Sequence, residues 1–460
     1  MEIPDKSGNP SCNSRRQFLL NLGIASAGSA AATVGGVENT FASPKSIQAD
    51  VLIIGGGTAG TIAAIQAGRL GVRTILVEAG SQLGGTTTTA GVDLPGLFHA
   101  WGRQIIAGIG WELVCSTVKL NNDRLPNFSV PYGTEHWKHQ VRLNGGLYAA
   151  LAEEACVNAG VQLRYYEMPL SIQHGDLGWR VRIAGKGQQI ELLARQVLDC
   201  TGNAAVIGLM GLPRQRESAI QPGTLIYRLA GFDADRAGLD DMEGKARDAV
   251  KAGRLESADF RHNLPSFLAA GGENAMHVPD ADSTTSELHT QTNIRGRQSL
   301  LRMMRFLKQF PGFENLRLER LQPETGVRET YRIVGENIVT ADDYIQGRKF
   351  DNAVAYSFYP IDLHDEHGIR PKQLPSGIVP TIPLGALIPR SSRDVMAAGR
   401  CISSDRLANS ALRVQASCMA MGQAAGVTCA LAAQMNLTPA QVPLADILKT
   451  LRAQGAITPA

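Results

Sequence analysis

The sequence predicts an α/β protein in which a Rossmann-like nucleotide-binding domain carries an inserted α+β domain. The first observation is a strand, glycine turn, helix and second strand over residues 49–78. The second is a strand and glycine turn at residues 394–400, through which the chain returns to its first domain. The third is composition, because 460 residues that are 44% hydrophobic and 19% charged can bury two ordinary cores. A disordered or fibrous chain is therefore excluded.

Charge and glycine content narrow the class of partner. The formal net charge is only +3, and no long block of one sign occurs, so neither nucleic acid nor a membrane surface is expected as a partner. The 49 glycines suit a protein whose backbone approaches phosphates closely. We therefore expect a small-molecule substrate.

The N-terminus has the layout of a cleaved export signal over residues 1–42. Arg15 and Arg16 precede an apolar stretch rich in glycine and alanine, and a small-residue site follows near Ala42. The paired arginines resemble a twin-arginine signal, which implies export of the folded protein by the twin-arginine translocase to a periplasmic or extracytoplasmic location. The alternative is an amphipathic N-terminus or a membrane anchor, although the apolar run is short for the ~20 residues that a spanning helix needs.

No stable membrane span is expected in the mature form. The most hydrophobic later segment, residues 411–435, contains Arg413, Gln415 and Gln423. These polar side chains favour a buried helix over a spanning one.

The first motif binds a dinucleotide. A strand over 49–54 is followed by six residues that read Gly55-Gly56-Gly57-Thr58-Ala59-Gly60, then a helix over 61–70 and a strand over 74–78. Gly55 permits the tight turn, Gly57 lets the backbone approach a diphosphate, and Gly60 lets helix and strand pack closely. Glu78 ends the second strand, eighteen positions after Gly60, where an acidic side chain accepts hydrogen bonds from a ribose.

Later segments identify the dinucleotide by resemblance. Gly84-Gly85 lies six residues beyond Glu78, and Gly399 ends a strand before the turn Asn409-Ser410-Ala411-Leu412 and a long helix. With residues 326–336, these segments resemble FAD-dependent oxidoreductases related to fumarate reductase flavoproteins and to the flavin-binding part of heterodisulfide reductase. The resemblance covers most of the mature chain and is strongest at 49–92 and 391–430.

The resemblance implies which residues hold FAD. The first glycine turn and Glu78 would hold the diphosphate and the adenosine ribose, and the later segments would follow the ribityl chain and the isoalloxazine ring. Residues 197–202 would either close the domain near the adenine or form an ordinary strand and turn. The implied cofactor-binding residues are Gly55, Gly57, Thr58, Ala59, Gly60, Glu78, Gly84, Gly85, Thr86, Gly399, Ser410 and Leu412.

The departures from the family concern how FAD is attached and which other cofactors are expected. No histidine follows Gly84-Gly85 before His99, so we expect non-covalent FAD. A second glycine motif after a strand is missing from the sequence, so a separate NAD(P)H domain is not expected. Cys12 lies in the signal, and the six other cysteines are at least eleven positions apart, so we expect neither an iron–sulfur cluster nor another metal site.

The predicted organisation is a FAD-binding domain from 43–212 and 391–460 with a substrate domain from 213–390 inserted between them. Within the insert, Thr340 to Asp343 match a helix capping box, which predicts a structural role for these carboxylates.

The predicted catalytic residues are Arg328, Arg332 and His364. The two arginines are four residues apart, so on a helix both guanidiniums would face one anion or developing oxyanion; the alternative is a structural ion-pair cluster. His364 lies in a segment that resembles the family's active-site loop, where it would accept the substrate proton while an acid of the same loop orients its ring. A surface histidine is the alternative, and a metal site with His367 lacks a third ligand at a defined spacing.

Two functions are compatible with these features. The first is hydride transfer from a small polar metabolite to the flavin, with an unknown electron acceptor. The second is a flavin electron-transfer module that docks with a partner redox protein. The sizeable insert favours the enzyme, because an electron relay exposes the edge of its flavin ring.

Overall fold

The computed structural model of this protein describes residues 47–130, 135–365, 368–369 and 371–459. The predicted export signal lies outside the described residues, as does His367. The described residues all belong to one compact unit.

The strands of the described residues are mostly short. They are β1 Ile47–Ile54, β2 Thr74–Glu78, β3 His99–Ala100, β4 Arg103–Gln104, β5 Gln162–Tyr165, β6 Met168–Gly175, β7 Gly178–Gly185, β8 Gln188–Asp199, β9 Arg214–Gln215, β10 Tyr227–Ala230, β11 Gly272–Glu273, β12 Arg317–Leu321, β13 Arg332–Ile333, β14 Ala353–Tyr356, β15 His364–Asp365, β16 Gly368–Ile369, β17 Thr381–Pro383 and β18 Val395–Ala397.

The helices range from one turn to six turns. They are α1 Thr58–Arg69, α2 Ile109–Leu120, α3 Gly145–Asn158, α4 Ala205–Leu209, α5 Leu239–Lys251, α6 Leu264–Ala270, α7 Ser286–Leu307, α8 Ala341–Gln346, α9 Arg406–Leu412, α10 Gln415–Met435 and α11 Leu444–Ala453.

The main sheet has the order β5-β2-β1-β8-β7-β6, and β18 also pairs with β8. Strands β5, β2, β1, β8 and β18 run parallel, whereas β7 is antiparallel to β8, and β6 is antiparallel to β7. Ile54 of β1 lies opposite Val77 on one side and Asp199 on the other. The carboxyl ends of β1, β8 and β18 therefore meet at one edge, which is where open parallel sheets bind ligands. The predicted α/β fold class is confirmed.

Helix α10 packs directly on α1 behind the sheet. A methyl group added at Gly422 would collide with the carbonyl of Ala59, and one at Gly426 would lie 2.6 Å from the carbonyl oxygen of Ala63. The two glycines thus let the helix backbones approach each other. Helix α10 is long and apolar enough to cross a membrane, but 94% of its most apolar window is buried inside the protein.

A second hydrophobic core lies within the predicted insert. Its buried side chains come from residues 225–316, on β10, α5, α6 and α7. Buried residues between 339 and 388 belong instead to the core that contains α1 and α10. The predicted boundaries at 213 and 390 stay a prediction. Thr340 and Asp343 form the reciprocal capping bonds that the sequence predicts at the start of α8.

Candidate functional site

A long cleft opens at the carboxyl ends of β1, β8 and β18. Its walls come from the first glycine turn, the end of β2, the loop after β8, the loop after β18 and the segment before β13. Ser283 and His289, the latter on α7, close one side. The residues that line it include Gly55, Gly57, Thr58, Ala59, Glu78, Gly85, Thr86, Cys200, Ser283, His289, Glu324, Arg328, Gly399, Arg400, Arg413, Gln415 and Cys418.

The glycines of the first turn have three different roles. Gly55 has a φ of +103°, and a Cβ there would lie 2.5 Å from the carbonyl oxygen of Cys200. A Cβ at Gly60 would collide with the carbonyl oxygen of Gly55, so this glycine lets α1 start against the turn. A Cβ at Gly57 would meet no described atom within 4 Å and would project into open space. The contacts of Gly55 and Gly60 agree with the predicted tight turn and close packing, and the diphosphate contact of Gly57 stays a prediction.

The second glycine loop lies against the first. Gly84 donates its backbone N–H to the carbonyl oxygen of Gly56 at 2.9 Å. Gly85 has a φ of +50°, and a Cβ there would lie 2.9 Å from the Cα of Gly57. Of the predicted residues in this loop, Gly85 and Thr86 line the cleft, whereas Gly84 supports the loop from behind.

Glu78 lies at the mouth of the cleft, and backbone amides hold its carboxylate. The amide of Gly56 donates to Oε2 at 2.7 Å, and the amide of Gly80 donates to Oε1 at 2.6 Å. Burial raises the pKa of Glu78, and these two hydrogen bonds act in the opposite direction. Nε2 of His289 and Oε2 of Glu324, which also line the cleft, lie 3.9 Å apart.

The cleft fits a dinucleotide diphosphate. Helix α1 begins at Gly57 without a side-chain cap, so its first amides are available to an anion. The open space beside Gly57 is where a phosphate would come closest to the backbone. Arg400 supplies a cation nearby, and its guanidinium bonds to the carbonyl of Gly202 and to the side chain of Asn203 rather than to a carboxylate.

Besides Gly60 and Gly84, two more predicted cofactor residues lie outside the cleft wall. The sequence predicts a turn at residues 409–412, but the chain forms helix α9 there, and Ser410 and Leu412 are fully buried. Asp405 caps this helix by accepting a hydrogen bond from the amide of Ala408 at 2.7 Å. Side chains after α9 line the cleft instead, and they are Arg413, Gln415 and Cys418.

The prediction that Arg328 and Arg332 share a helical face is wrong. No helix covers either residue in the described chain, and Arg332 begins β13. The buried Arg332 forms an ion pair with the partly exposed Glu217 at 2.7 Å and donates to the carbonyl oxygen of Ser404 at 3.0 Å. Arg328 lines the cleft, so the structure brings only one of the two guanidiniums to it.

His364 is buried and hydrogen-bonded through both ring nitrogens. Its Nε2 lies 3.1 Å from Oδ2 of Asp362, and its Nδ1 lies 3.0 Å from Nε2 of His277. The predicted acid of the same loop is therefore Asp362. Both histidines are only 3% exposed, which is unlike the surface histidine that was the alternative. Because an ionised carboxylate only accepts, Nε2 of His364 donates to Asp362, and Nε2–H of His277 then donates to His364.

The surroundings keep both histidines neutral. Burial lowers the pKa of His364 to about 3, and the positive charges of Arg328 and Arg413 act in the same direction. Burial and the charge of Arg328 lower the pKa of His277 to about 2. Burial alone would raise the pKa of Asp362, but the hydrogen bond from His364 and the arginine charges lower it to about 2.

We call the group formed by Arg261, His277, Arg328, Asp362, His364 and Arg413 the polar cluster. It adjoins the cleft through Arg328 and Arg413, which line it. A cleft for a dinucleotide thus ends beside a buried carboxylate–histidine pair, which is an arrangement suited to proton transfer next to a redox cofactor.

Comparison with known families agrees with this site. The family described as FAD dependent oxidoreductase matches residues 50–452. The chain belongs to this family. It is therefore a FAD-dependent oxidoreductase, and the cleft fits the diphosphate of such a dinucleotide.

Individual relatives match this flavoenzyme over shorter stretches. Dihydrolipoyl dehydrogenase of Pseudomonas aeruginosa is 47% identical over 209 residues, which are 42% of this chain and 40% of that protein. Nicotine dehydrogenase of Pseudomonas putida is 37% identical over 97 residues, which are 19% of this chain and 20% of that protein. The matches thus span less than half the length of either relative. A geranylgeranyl bacteriochlorophyll reductase-like structure from Thermoplasma acidophilum aligns with 89% of this chain and 83% of that chain, at 11% identity and a TM-score of 0.40.

Sequence reasoning missed His277 of the polar cluster. His277 follows a polar loop and lies 87 positions before His364, so no local pattern connects the two. A second set of contacts fixes the loop of His364, because its backbone amide donates to Oε1 of Gln221 at 3.0 Å. Gln221 in turn donates to Glu329, which pairs with Arg406.

The thiols of the flavoenzyme are free in the described residues. The structure gives Cys115 as partly buried and Cys156, Cys200, Cys401, Cys418 and Cys429 as buried. No group of three or more metal-ligating side chains occurs in the parts of the chain that the structure describes.

Proposed function

We propose that this FAD-dependent oxidoreductase takes a hydride from a C–H bond of a small polar metabolite while His364 accepts the proton that the same metabolite releases. The observation that supports this proposal is the buried His364–Asp362 pair beside the flavin cleft, 3.1 Å apart. Bound FAD supplies the hydride acceptor. The first glycine turn and Glu78 would hold its diphosphate and ribose, without a covalent link.

We assign a different role in this reaction to each of several residues of the polar cluster. Asp362 accepts the hydrogen bond that fixes the tautomer of His364 and stabilises the imidazolium that forms on protonation. Since His277 occupies the other ring nitrogen, a proton reaches His364 through the two-histidine chain. Arg328 would clamp the substrate, as the sequence predicts, and Arg413 takes the place predicted for Arg332.

The narrower relationship is also a proposal. The glycine motifs and the segment of His364 resemble flavoproteins related to fumarate reductase and to the flavin-binding part of heterodisulfide reductase. Both histidines are neutral at the working pH, so either ring can accept a proton, as the oxidising direction requires. No iron–sulfur cluster or other metal is needed for this reaction.

The test is anaerobic reduction of the bound flavin by a panel of small polar metabolites, followed by absorbance. The purified protein should be yellow, and acid should release FAD. Bleaching by one metabolite class supports the enzyme. Bleaching only by a reduced partner redox protein would favour the electron-transfer alternative, and a colourless protein that takes up no added FAD would contradict the cofactor assignment.

We propose further that the twin-arginine translocase exports the folded holoprotein. Replacing Arg15 and Arg16 with lysine should leave the FAD-loaded protein in the cytoplasm, because the translocase reads the arginine pair as an address. Cell fractionation with flavin fluorescence measures this result. Export of the double variant at the parental level would favour an ordinary secretory signal instead.

A further inference from the structure

A second pocket shares the second glycine loop with the cleft. Residues 85–86 and 89–90 of this loop line the cleft, whereas residues 87–88 and 91 line the second pocket. The volume of the second pocket is about 600 Å³. This value falls within the ~300–1,000 Å³ that sites for small molecules occupy. The loop is therefore a wall common to two cavities, each large enough for a ligand.

The opposite wall of the second pocket belongs to the three-stranded sheet β11-β10-β12. Arg228 on β10, Glu273 on β11 and Arg320 on β12 line it. Gln322 follows β12, and a Cβ added at Gly91 would collide with the side chain of Gln322. The missing side chain of Gly91 thus lets the two walls meet at this point.

The charges that line the second pocket balance. Three guanidiniums and three carboxylates contribute to it, and they are those of Arg142, Arg228, Arg320, Asp93, Asp123 and Glu273. Arg142 pairs with Asp93 at 3.0 Å, and Arg320 pairs with Glu273 at 2.9 Å. Because these less exposed carboxylates already have a cation, a charged ligand would find no unpaired counterion beside them.

The same lining mixes hydrogen-bond donors with acceptors. Amide side chains alternate with the ion pairs, and they are those of Gln82, Asn121, Asn144 and Gln322. Nε of Arg320 is buried and has no hydrogen-bond partner among the residues that the structure describes. A hydroxyl group both donates and accepts, so a molecule with several hydroxyls matches a lining of this kind.

We propose that the second pocket binds a neutral molecule with several hydroxyl groups, such as a sugar or a polyol. Paired charges disfavour an ion there, and an apolar molecule would leave the polar lining without partners. A ligand oxygen would accept a hydrogen bond from Nε of Arg320. This inference does not depend on the proposed hydride transfer, because the residues of the polar cluster do not line the second pocket.

The cleft should sense a molecule in the second pocket. Thr87 lines the second pocket, and its Oγ1 donates to Oε1 of Gln415, which lines the cleft. Nε2 of Gln415 in turn donates to the carbonyl oxygen of Val92 at 2.7 Å. A ligand that displaces Thr87 therefore displaces Gln415 as well. The absorbance of the bound flavin should report this change.

The experiment titrates the oxidised, FAD-loaded protein with glucose, sorbitol or maltotriose, and with acetate and choline as charged probes. Calorimetry measures binding, and absorbance follows the flavin. A neutral probe should bind with a dissociation constant at or below ~1 mM and should change the flavin spectrum. Saturation separates this binding from the general stabilisation that excluded polyols give to proteins. The tightest probe shows whether the natural ligand is a ring, an open chain or the end of a longer saccharide.

Arg320→Met should raise the dissociation constant of the neutral probe roughly 10-fold, because it removes donors that the ligand uses. Arg228 stays 3.9 Å from Glu273, so this carboxylate keeps a cation. Arg317→Met is the matched control, since it removes the same group from the same strand but from a residue that does not line the second pocket. It should bind the probe like the parent.

Gln322→Met tests the proposal without a change of charge. It keeps every ion pair of the second pocket and the unbranched shape of the side chain, and should raise the dissociation constant roughly 3- to 10-fold. Failure of all three neutral probes to bind would overturn the proposal. Parental binding by both Arg320→Met and Gln322→Met would do the same, because the ligand would then lie elsewhere. Acetate or choline binding that depends on Arg320, without binding of a neutral probe, would show that the second pocket takes an ion.

Discussion

The cleft at the carboxyl ends of β1, β8 and β18 and the polar cluster differ in which parts of the sequence form them. The cleft is formed around one contiguous turn, residues 55–60, and its acidic residue Glu78 follows on the next strand. The polar cluster brings together residues from 261 to 413, on five separate segments. The difference shows that a turn suited to a cofactor can be encoded locally, whereas a buried cluster of charged and imidazole side chains depends on tertiary packing.

The largest expected effect comes from changing the cleft at Gly57. Gly57→Val should abolish FAD binding, because the side chain would occupy the open space where the diphosphate approaches the backbone. The fold should survive, since a Cβ at Gly57 meets no described protein atom within 4 Å and its φ of −70° suits any residue. Absorbance at 450 nm, expressed per protein, and circular dichroism measure the two properties.

Two variants make this prediction specific. Gly60→Val should disrupt folding itself, because its Cβ would collide with the carbonyl of Gly55. Gly244→Val, in helix α5 and with only the flexible Arg247 within 4 Å in the described chain, should keep both fold and cofactor. A yellow Gly57→Val protein would show that the diphosphate does not lie against this turn.

The same difference explains what could be predicted from sequence. The bounds of β2 agree with the prediction, and α1 begins three residues earlier than predicted because Gly57 already takes the extended capping conformation. The positions of Arg332 and Ser410 could not be derived. The spacing of four residues between Arg328 and Arg332 fits a helical turn but does not require one. Arg332 joins a strand because β13 pairs with β9, which lies 117 residues earlier in the chain.

The polar cluster should respond to mutation without loss of the cofactor. His364→Gln should slow substrate-driven flavin reduction ~100-fold or more, the usual scale for a lost general base, while the flavin spectrum stays intact. Anaerobic stopped-flow absorbance measures the rate. His174→Gln, on β6 and beside Asp394, is the matched control, and its flavin should be reduced at the parental rate. Parental reduction by His364→Gln would remove this residue from the reaction and leave His277 as the acceptor.

The smallest expected effect is on stability, and it distinguishes the two regions by their response to acid. The folded pKa of His277 is about 2 and that of His364 about 3, against 6.5 for an ordinary histidine. At pH values between the folded and the ordinary pKa, the unfolded chain binds more protons than the folded one. The free energy of unfolding therefore falls as pH falls. Glu78 acts in the opposite direction, because its folded pKa is raised and the folded state takes up its proton more readily.

Lowering the pH from 7 to 5 should therefore reduce the free energy of unfolding by at most ~2 kcal/mol for each histidine. This is the linkage expected for a group whose pKa in the unfolded chain is near 6.5. His277→Gln should remove its share of this loss, whereas Gly244→Val should keep all of it, since it changes no titrating group. Urea unfolding of the FAD-free protein at both pH values measures the difference. An identical loss in His277→Gln and in the parent would mean that this histidine is not held neutral in the folded protein. The assignment of the polar cluster as a buried, proton-accepting site would then fail, while the glycine-built cleft would remain.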